Sequence, residues 1–370
     1  MHKRKTVLCV VGARPNFMKI APIMRALEKS AVLDGVLLHT GQHYDAAMSD
    51  DFFRDLGIVR PSRNLNIGSS SHARQTADIM TGFEPVLHDI KPDCILVVGD
   101  VTSTLACALV AAKEGVRVVH VEAGLRSYDR TMPEEVNRVL TDQLSDLLFT
   151  TERSAQANLE REGIDAGKVR FVGNVMIDTL RANLARAVAP AQSVAQAGLT
   201  LDADKPYALL TLHRPSNVDD PRALRPLLEV VREIGARCPV VFPVHPRTRD
   251  RIGRHGLLEL IEAPNVLALP PVGYLSMLGL MAGAKAVLTD SGGLQEESTA
   301  LGVPCLTLRE NTERPITLDQ GTNTLVGCDP AAVRAAFAEI EADGGKRGRI
   351  PEFWDGHAAE RIVAELETWL

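Results

Sequence analysis

The sequence is missing the marks of several large functional classes. Its six cysteines (Cys9, Cys94, Cys107, Cys238, Cys305 and Cys328) are scattered and include no Cys-x-x-Cys pair. Most lie in apolar runs, which reads as buried, reduced thiols in a cytoplasmic protein. No apolar run is long enough to span a bilayer. The basic opening, Met1 to Lys5, leads into an apolar run that ends at Gly12-Ala13-Arg14-Pro15, too short for a secretory leader. Positive charge is not in excess: the formal net charge is −6. That argues against nucleic acid and against an anionic membrane surface as partners. No His, Cys, Asp or Glu group has the spacing of a zinc site, so no metal is expected. The first strand is not followed by Gly-x-Gly-x-x-Gly, and no Walker signature is present. These two absences count against a tightly bound dinucleotide and against an ATPase, and no cofactor is expected.

What is present is alternation. At 370 residues the chain suits two domains of roughly 180 each. Short apolar runs read as strands at Thr6–Val11, Val36–His39, Cys94–Val98, Val116–Val121, Leu147–Thr150 and Val169–Val172. Helical stretches, among them Met18–Lys29, Gln75–Asp89, Thr104–Glu114, Pro133–Leu144 and Ser154–Glu162, fall between them. Apolar runs without polar alternation mean strands covered on both faces, hence a parallel, doubly wound α/β sheet. The stretch from Ala185 to Lys205, rich in Ala, Gln and Pro, breaks the pattern and places a domain junction near its start. Strands and helices then resume from Tyr207 to a last helix at Ala358–Leu370, which Trp354 and Trp369 are expected to anchor.

The two halves echo each other. One strand runs into Gly99-Asp100 and the other into Asp290, and each following helix ends in Gly-Val, at Gly115 and Gly302. Paired Rossmann-like domains facing across a cleft are expected, with ligands beyond the carboxyl ends of the strands. Asp100, Glu122, His213, His245, Asp290 and Arg309 all follow strands, on that ligand side.

The densest signal is Asp290-Ser291-Gly292-Gly293-Leu294-Gln295-Glu296-Glu297. A strand that stops at a Gly-Gly turn before a helix leaves backbone N–H groups and the positive helix end for a phosphate. A carboxylate in the first turn, Glu296 or Glu297, suits a ribose diol; a plain acidic helix start is the other reading. Arg14 and Lys19, after the first strand, are placed to meet a diphosphate. Glu122 ends an apolar strand, where a carboxylate needs a partner or a task. Glu134 and Arg138, four apart, face one side of a helix, and an i,i+4 ion pair is the structural alternative. His213 and His245 put two imidazoles at strand ends, able to bind a phosphate oxygen or move a proton.

Taken in order, Gly12-Ala13-Arg14-Pro15 with Lys19, Thr40-Gly41-Gln42-His43, Gly99-Asp100, His120-Val121-Glu122-Ala123-Gly124-Leu125-Arg126, Pro133-Glu134-Glu135 with Asn137-Arg138, Asp290 to Glu297, and Thr312-Glu313-Arg314-Pro315 resemble the UDP-N-acetylglucosamine 2-epimerase family. The resemblance implies a glycosyltransferase B-type fold of two Rossmann-like domains, residues 1–184 and 185–356. A final helix, 357–370, would pack back on the first domain, and the protein would usually be a homodimer. It implies UDP binding by Ser291, Gly292, Gly293 and Glu297, with Arg14 and His213 near the diphosphate. It implies catalytic carboxylates at Asp100, Glu122 and Glu134; Arg138, Arg309, Thr312 and Arg314 lie in matching motifs. The chain departs from the family pattern at Pro215-Ser216-Asn217 and at Ser69 to Gln75.

The residues suit that chemistry. No carbonyl activates C2–H of an N-acetylhexosamine. If UDP leaves C1, the developing charge there acidifies C2–H, and a base takes the proton to give a glycal. Re-addition of UDP with protonation on the opposite face inverts C2. The route needs a held diphosphate and acid/base groups but no nicotinamide. A hydrolysing epimerase, a glycosyltransferase and a non-catalytic sugar-nucleotide sensor are the competing readings. Three carboxylates in the first domain weigh against the last two.

Overall fold

The structure, a computed structural model, describes residues 3–41, 57, 60–202 and 204–370. Gln42 and His43 and the side chain of Arg14 lie outside the described residues. The chain divides into two compact units, Met1–Ala182 with Glu352–Leu370, and Asn183–Pro351.

In the first unit seven strands form one parallel sheet: β1 Lys5–Val11, β2 Leu33–His39, β3 Arg63–Asn64, β4 Cys94–Val98, β5 Arg117–Ala123, β6 Leu147–Thr150 and β7 Val169–Phe171. Their order is β3-β2-β1-β4-β5-β6-β7. Every residue of β4 is buried, as an unbroken apolar run requires of a strand covered on both faces. In the second unit β8 Ala208–Thr211, β9 Val240–Pro243, β10 Val266–Leu269, β11 Ala286–Thr289, β12 Cys305–Thr307 and β13 Asn323–Leu325 are ordered β10-β9-β8-β11-β12-β13. Each unit therefore starts in mid-sheet, winds outward, returns, and winds the other way. This is the doubly wound order, whose direction reverses between β1 and β4, and again between β8 and β11. The residues that follow those four strands are the ones the fold places at a ligand crevice.

The echo between the halves is visible in the backbone. Gly115 and Gly302, after equivalent helices, both adopt positive φ, +71° and +72°. The last helix, Ala358–Trp369, belongs to the first unit and packs on the helix Arg14–Lys29. Its first N–H groups are capped from another helix: Asp178 accepts from Ala358 and Ala359 at 3.1 and 2.7 Å. Trp354 is fully buried and donates to the Thr151 carbonyl at 3.1 Å, while Arg117 stacks on the Trp369 ring.

Sequence periodicity does not reveal the short helices Val175–Asn183, Pro190–Ala195, Pro246–Arg254 and Pro315–Asp319. Three of the four open on a proline at the first helical turn. Pro246–Arg254 carries four arginines and buries only Thr248 and Ile252, too thin an apolar stripe to be read by period. Among the described residues no helix is long and apolar enough to cross a membrane. All six cysteines are free, five of them buried.

Candidate active site

In the first unit, β5 does not end cleanly. Its pairing with β6 jumps from Val121–Phe149 to Ala123–Thr150, leaving Glu122 as an extra residue. Glu122 takes φ +75°, a left-handed conformation that costs a non-glycine residue of order 1–3 kcal/mol. The bulge turns its side chain into the unit, where it is 3% exposed. There Lys19, on the helix that follows β1, brings Nζ to 2.5 Å from Oε2. Gly99, after β4, makes room: it takes φ +67°, and a Cβ there would sit 2.8 Å from Lys19 Nζ. Lys19 is thus not a solvated helix lysine, and Glu122 is its partner in this structure.

Asp100 follows Gly99. Its carboxylate pairs with Arg138, and its carbonyl accepts from Asn137 at 2.8 Å. An i,i+4 pair between Glu134 and Arg138 does not form. Arg138 instead lies 2.8 Å from Glu135, which is buried, while Glu134 is exposed. The reason is helix phase: Glu135 and Arg138 point into the unit, and Glu134 points out of it. Burial opposes ionisation of Glu135, but the Ser127 N–H and the Arg138 guanidinium outweigh it and hold its carboxyl below the usual range. Behind β5, His120 touches Asp142 and the Gly99 carbonyl at 2.6 and 2.8 Å.

In the second unit the organiser is Asp290, at the end of β11 and fully buried. It accepts from the backbone N–H of His213 at 3.0 Å and of Arg214 at 2.9 Å, and from Asn217 at 3.2 Å. The His213 ring lies 2.8 Å from its other oxygen. Burial alone would raise the Asp290 carboxyl; the His213 ring and these N–H groups hold it below the usual range. His213 itself is exposed, with its ring centroid 6.0 Å from that of His245. His245 caps the helix Pro246–Arg254 through Nδ1, which accepts from the Arg247 N–H at 3.2 Å.

The helix after β11 opens at Gly292, so the Gly-Gly pair forms its first turn rather than preceding it, with Ser291 as the cap residue. Its first N–H groups have no partner within the helix. Ser291, Gly292 and Gly293 are partly exposed, and Glu297 is 3% exposed. Burial drives the Glu297 carboxyl up to about 8, and Tyr274 donates to it at 3.1 Å. Glu296, one residue earlier, pairs with Arg314 at 2.8 Å. Arg309 pairs with Glu313 at 2.8 Å, and its Nη1 is buried with no hydrogen-bond partner among the described residues. Burial would raise the Glu313 carboxyl, but Arg314 and Arg309 hold it well below the usual range.

The first unit thus gathers Lys19, Asp100, Glu122 and Arg138. The second gathers His213 and His245, and around one helix start Ser291, Gly292, Gly293, Glu297, Arg309 and Arg314. Sequence reasoning missed Glu135, Asp142, Tyr274 and Glu313 as members of these groups. Glu135 and Glu313 lay in quoted motifs; Asp142 and Tyr274 carried no signal that local pattern could separate from an ordinary helix.

A sequence model of the family described as UDP-N-acetylglucosamine 2-epimerase matches residues 25–367. The UDP-N-acetylglucosamine 2-epimerase of Methanocaldococcus jannaschii is 43% identical over 360 residues, 96% of this chain and 97% of the relative. The UDP-2,3-diacetamido-2,3-dideoxy-D-glucuronate 2-epimerase of Pseudomonas aeruginosa is also 43% identical, over 97% of this chain and 99% of its own. A crystal structure of the Methanocaldococcus jannaschii enzyme in complex with UDP-GlcNAc and UDP superposes with a TM-score of 0.88 at 41% identity, covering 98% of this chain and 99% of the other.

Proposed function

The chain belongs to the UDP-N-acetylglucosamine 2-epimerase family, and on that premise we propose that it interconverts UDP-N-acetylglucosamine and UDP-N-acetylmannosamine by inverting C2. The observation that carries the reading is Glu122. A carboxylate held in a strained backbone, buried and paired with a lysine beside Asp100, is a group kept for chemistry.

The reaction asks one thing of each unit. The second unit holds UDP. The N–H groups at Gly292 and Gly293 and the donors of Arg309 and His213 take the diphosphate. Glu297, with its carboxyl near 8, is largely protonated at neutral pH. It offers a ribose diol both a donor and an acceptor without placing a full negative charge close to the phosphates. The first unit moves protons. The C1–O bond breaks with its electron pair leaving on UDP, and one carboxylate among Asp100, Glu122 and Glu134 takes the C2 proton. The glycal then accepts a proton on its other face from a second of these groups in its carboxylic-acid form, as the UDP oxygen returns to C1. Lys19 is placed against Glu122 and Arg138 against Asp100, and Arg14 and His213 stabilise departing UDP.

Proton NMR in deuterated water tests this. UDP-N-acetylmannosamine carrying deuterium at C2 is the expected product of UDP-N-acetylglucosamine. Free UDP with N-acetylmannosamine would make the enzyme a hydrolysing epimerase, and saturable binding without turnover would leave a sensor. The Pseudomonas aeruginosa relative, equally similar, favours one second reading: a UDP-2-acetamido sugar bearing a C6 carboxylate. Comparing kcat/KM for the two substrates decides between them. The proposal includes a homodimer, for which the exposed Val136 and Leu140, one turn apart, offer apolar surface; light scattering tests it.

A further inference from the structure

The two innermost carboxylates sit on irregular backbone. Asp100 follows Gly99 at φ +67°, and Glu122 takes φ +75°. Regular pairing stops or jumps at both positions. One backbone bond joins the two stretches, from the Gly99 N–H to the Val121 carbonyl at 3.0 Å, and side chains add to it.

Both stretches are tied to one buried side chain. The Asp142 carboxylate meets His120 Nδ1 at 2.6 Å, and its other oxygen accepts from the Gly124 N–H at 3.1 Å. These two contacts fall two residues before and two residues after Glu122. The far nitrogen of the ring, Nε2, donates to the Gly99 carbonyl at 2.8 Å, which pins the turn that carries Asp100. A carbonyl only accepts, so this bond fixes the orientation of the ring. One turn earlier on the same helix, Arg138 holds the Asp100 carboxylate itself. Arg126 closes the network, with Nη2 at 2.7 Å from Asp142 and 2.6 Å from Glu162. His120 and Asp142 are fully buried, at 0% and 1% exposure, and neither reaches the surface where a sugar would lie.

We propose that Asp142, acting through the His120 ring, is a positioning residue: it clamps the Glu122 bulge and the Gly99–Asp100 turn to the helix Pro133–Leu144, so that the two carboxylates keep one separation through proton transfer. The inference rests on the reading of Asp100 and Glu122 as the proton-transfer groups. A core filler would be indifferent to hydrogen-bond direction. A positioning pair is not, since a misplacement of an ångström at a reacting group lowers turnover by about a hundredfold.

The test is Asp142→Asn, with Glu162→Gln as the control. Glu162 shares Arg126 with Asp142 but touches neither His120 nor Gly124. Asp142→Asn is expected to lower kcat by about tenfold to a hundredfold and to leave KM within about threefold. UDP affinity should match the parent protein, and Glu162→Gln should stay within about twofold throughout. Amide hydrogen exchange should speed up over residues 98–101 and 120–126 in Asp142→Asn and be unchanged over 289–297. If Asp142→Asn does not fold, His120→Gln carries the same expectation, because it leaves Asp142 with Arg126 and Gly124. Unchanged kcat, an equal loss in Glu162→Gln, or a joint loss of kcat and UDP affinity would overturn the positioning role while the parent protein still epimerises. A parent protein that exchanges no C2 proton on any UDP-N-acetylhexosamine would overturn the reaction reading, and this role with it.

Discussion

Lys19 and Glu122 face each other inside the seven-stranded unit, Nζ to Oε2 at 2.5 Å, with 9% and 3% of their side chains exposed. They come from the helix after β1 and the bulge in β5, so the pair ties two parts of the sheet that sequence separates by about a hundred residues. Removing one partner leaves the other charge buried. Lys19→Met should therefore destabilise the first unit by about 3–5 kcal/mol, and Lys19→Met with Glu122→Gln should recover much of that. Urea unfolding of the two variants measures it, and a single variant as stable as the parent would refute it.

Glu122→Gln is nearly isosteric and removes the carboxylate proposed as the base. Turnover should fall by at least about a hundredfold, while UDP affinity by calorimetry stays within about twofold. Equal loss of both would mean that Glu122 is structural.

Glu297 carries a pH signature. Its carboxyl rises from the ordinary 4.5 to about 8 in the folded chain, chiefly through burial. Between those values the folded state holds a proton that the unfolded state has lost. Stability from this group is therefore fully present below pH 4.5 and declines as pH rises toward 8. Glu297→Gln removes the decline. It should raise the melting temperature more at pH 9 than at pH 5. A shift of equal size at the two pH values would contradict the raised carboxyl.

Gly292 opens the helix after β11, and a Cβ there would sit 2.6 Å from Glu313 Oε1. Glu313 is held by Arg309, so it has little freedom to withdraw. Gly292→Ala should push this carboxylate and the helix start apart and weaken UDP binding by about tenfold, near 1.4 kcal/mol. Calorimetric titration reads it directly.

Asp178 caps the last helix of the chain from another helix of the same unit. Asp178→Ala should lower the stability of that unit by about 1–2 kcal/mol without changing kcat. A change in turnover larger than the change in stability would place Asp178 in the chemistry.

Sequence alone determined the layer architecture and the strand count near the centre of each sheet. Buried parallel strands are unbroken apolar runs, and the period of two or of 3.6 is a local property. It also determined which residues stand at strand ends, and so the candidates Asp100, Glu122, His213 and Asp290. Motifs in order along the chain carried the family. The division of labour among those residues was not local. Helix phase makes Glu135, not Glu134, the buried partner of Arg138, and one residue of phase cannot be read from a run of two glutamates. The partner of Lys19 is set by a bulge at the end of β5, and the raised carboxyl of Glu297 by burial beside Tyr274. These are consequences of chain segments meeting from far apart, where desolvation and the nearest charge decide what a carboxyl group does. Only the tertiary structure brings those segments together.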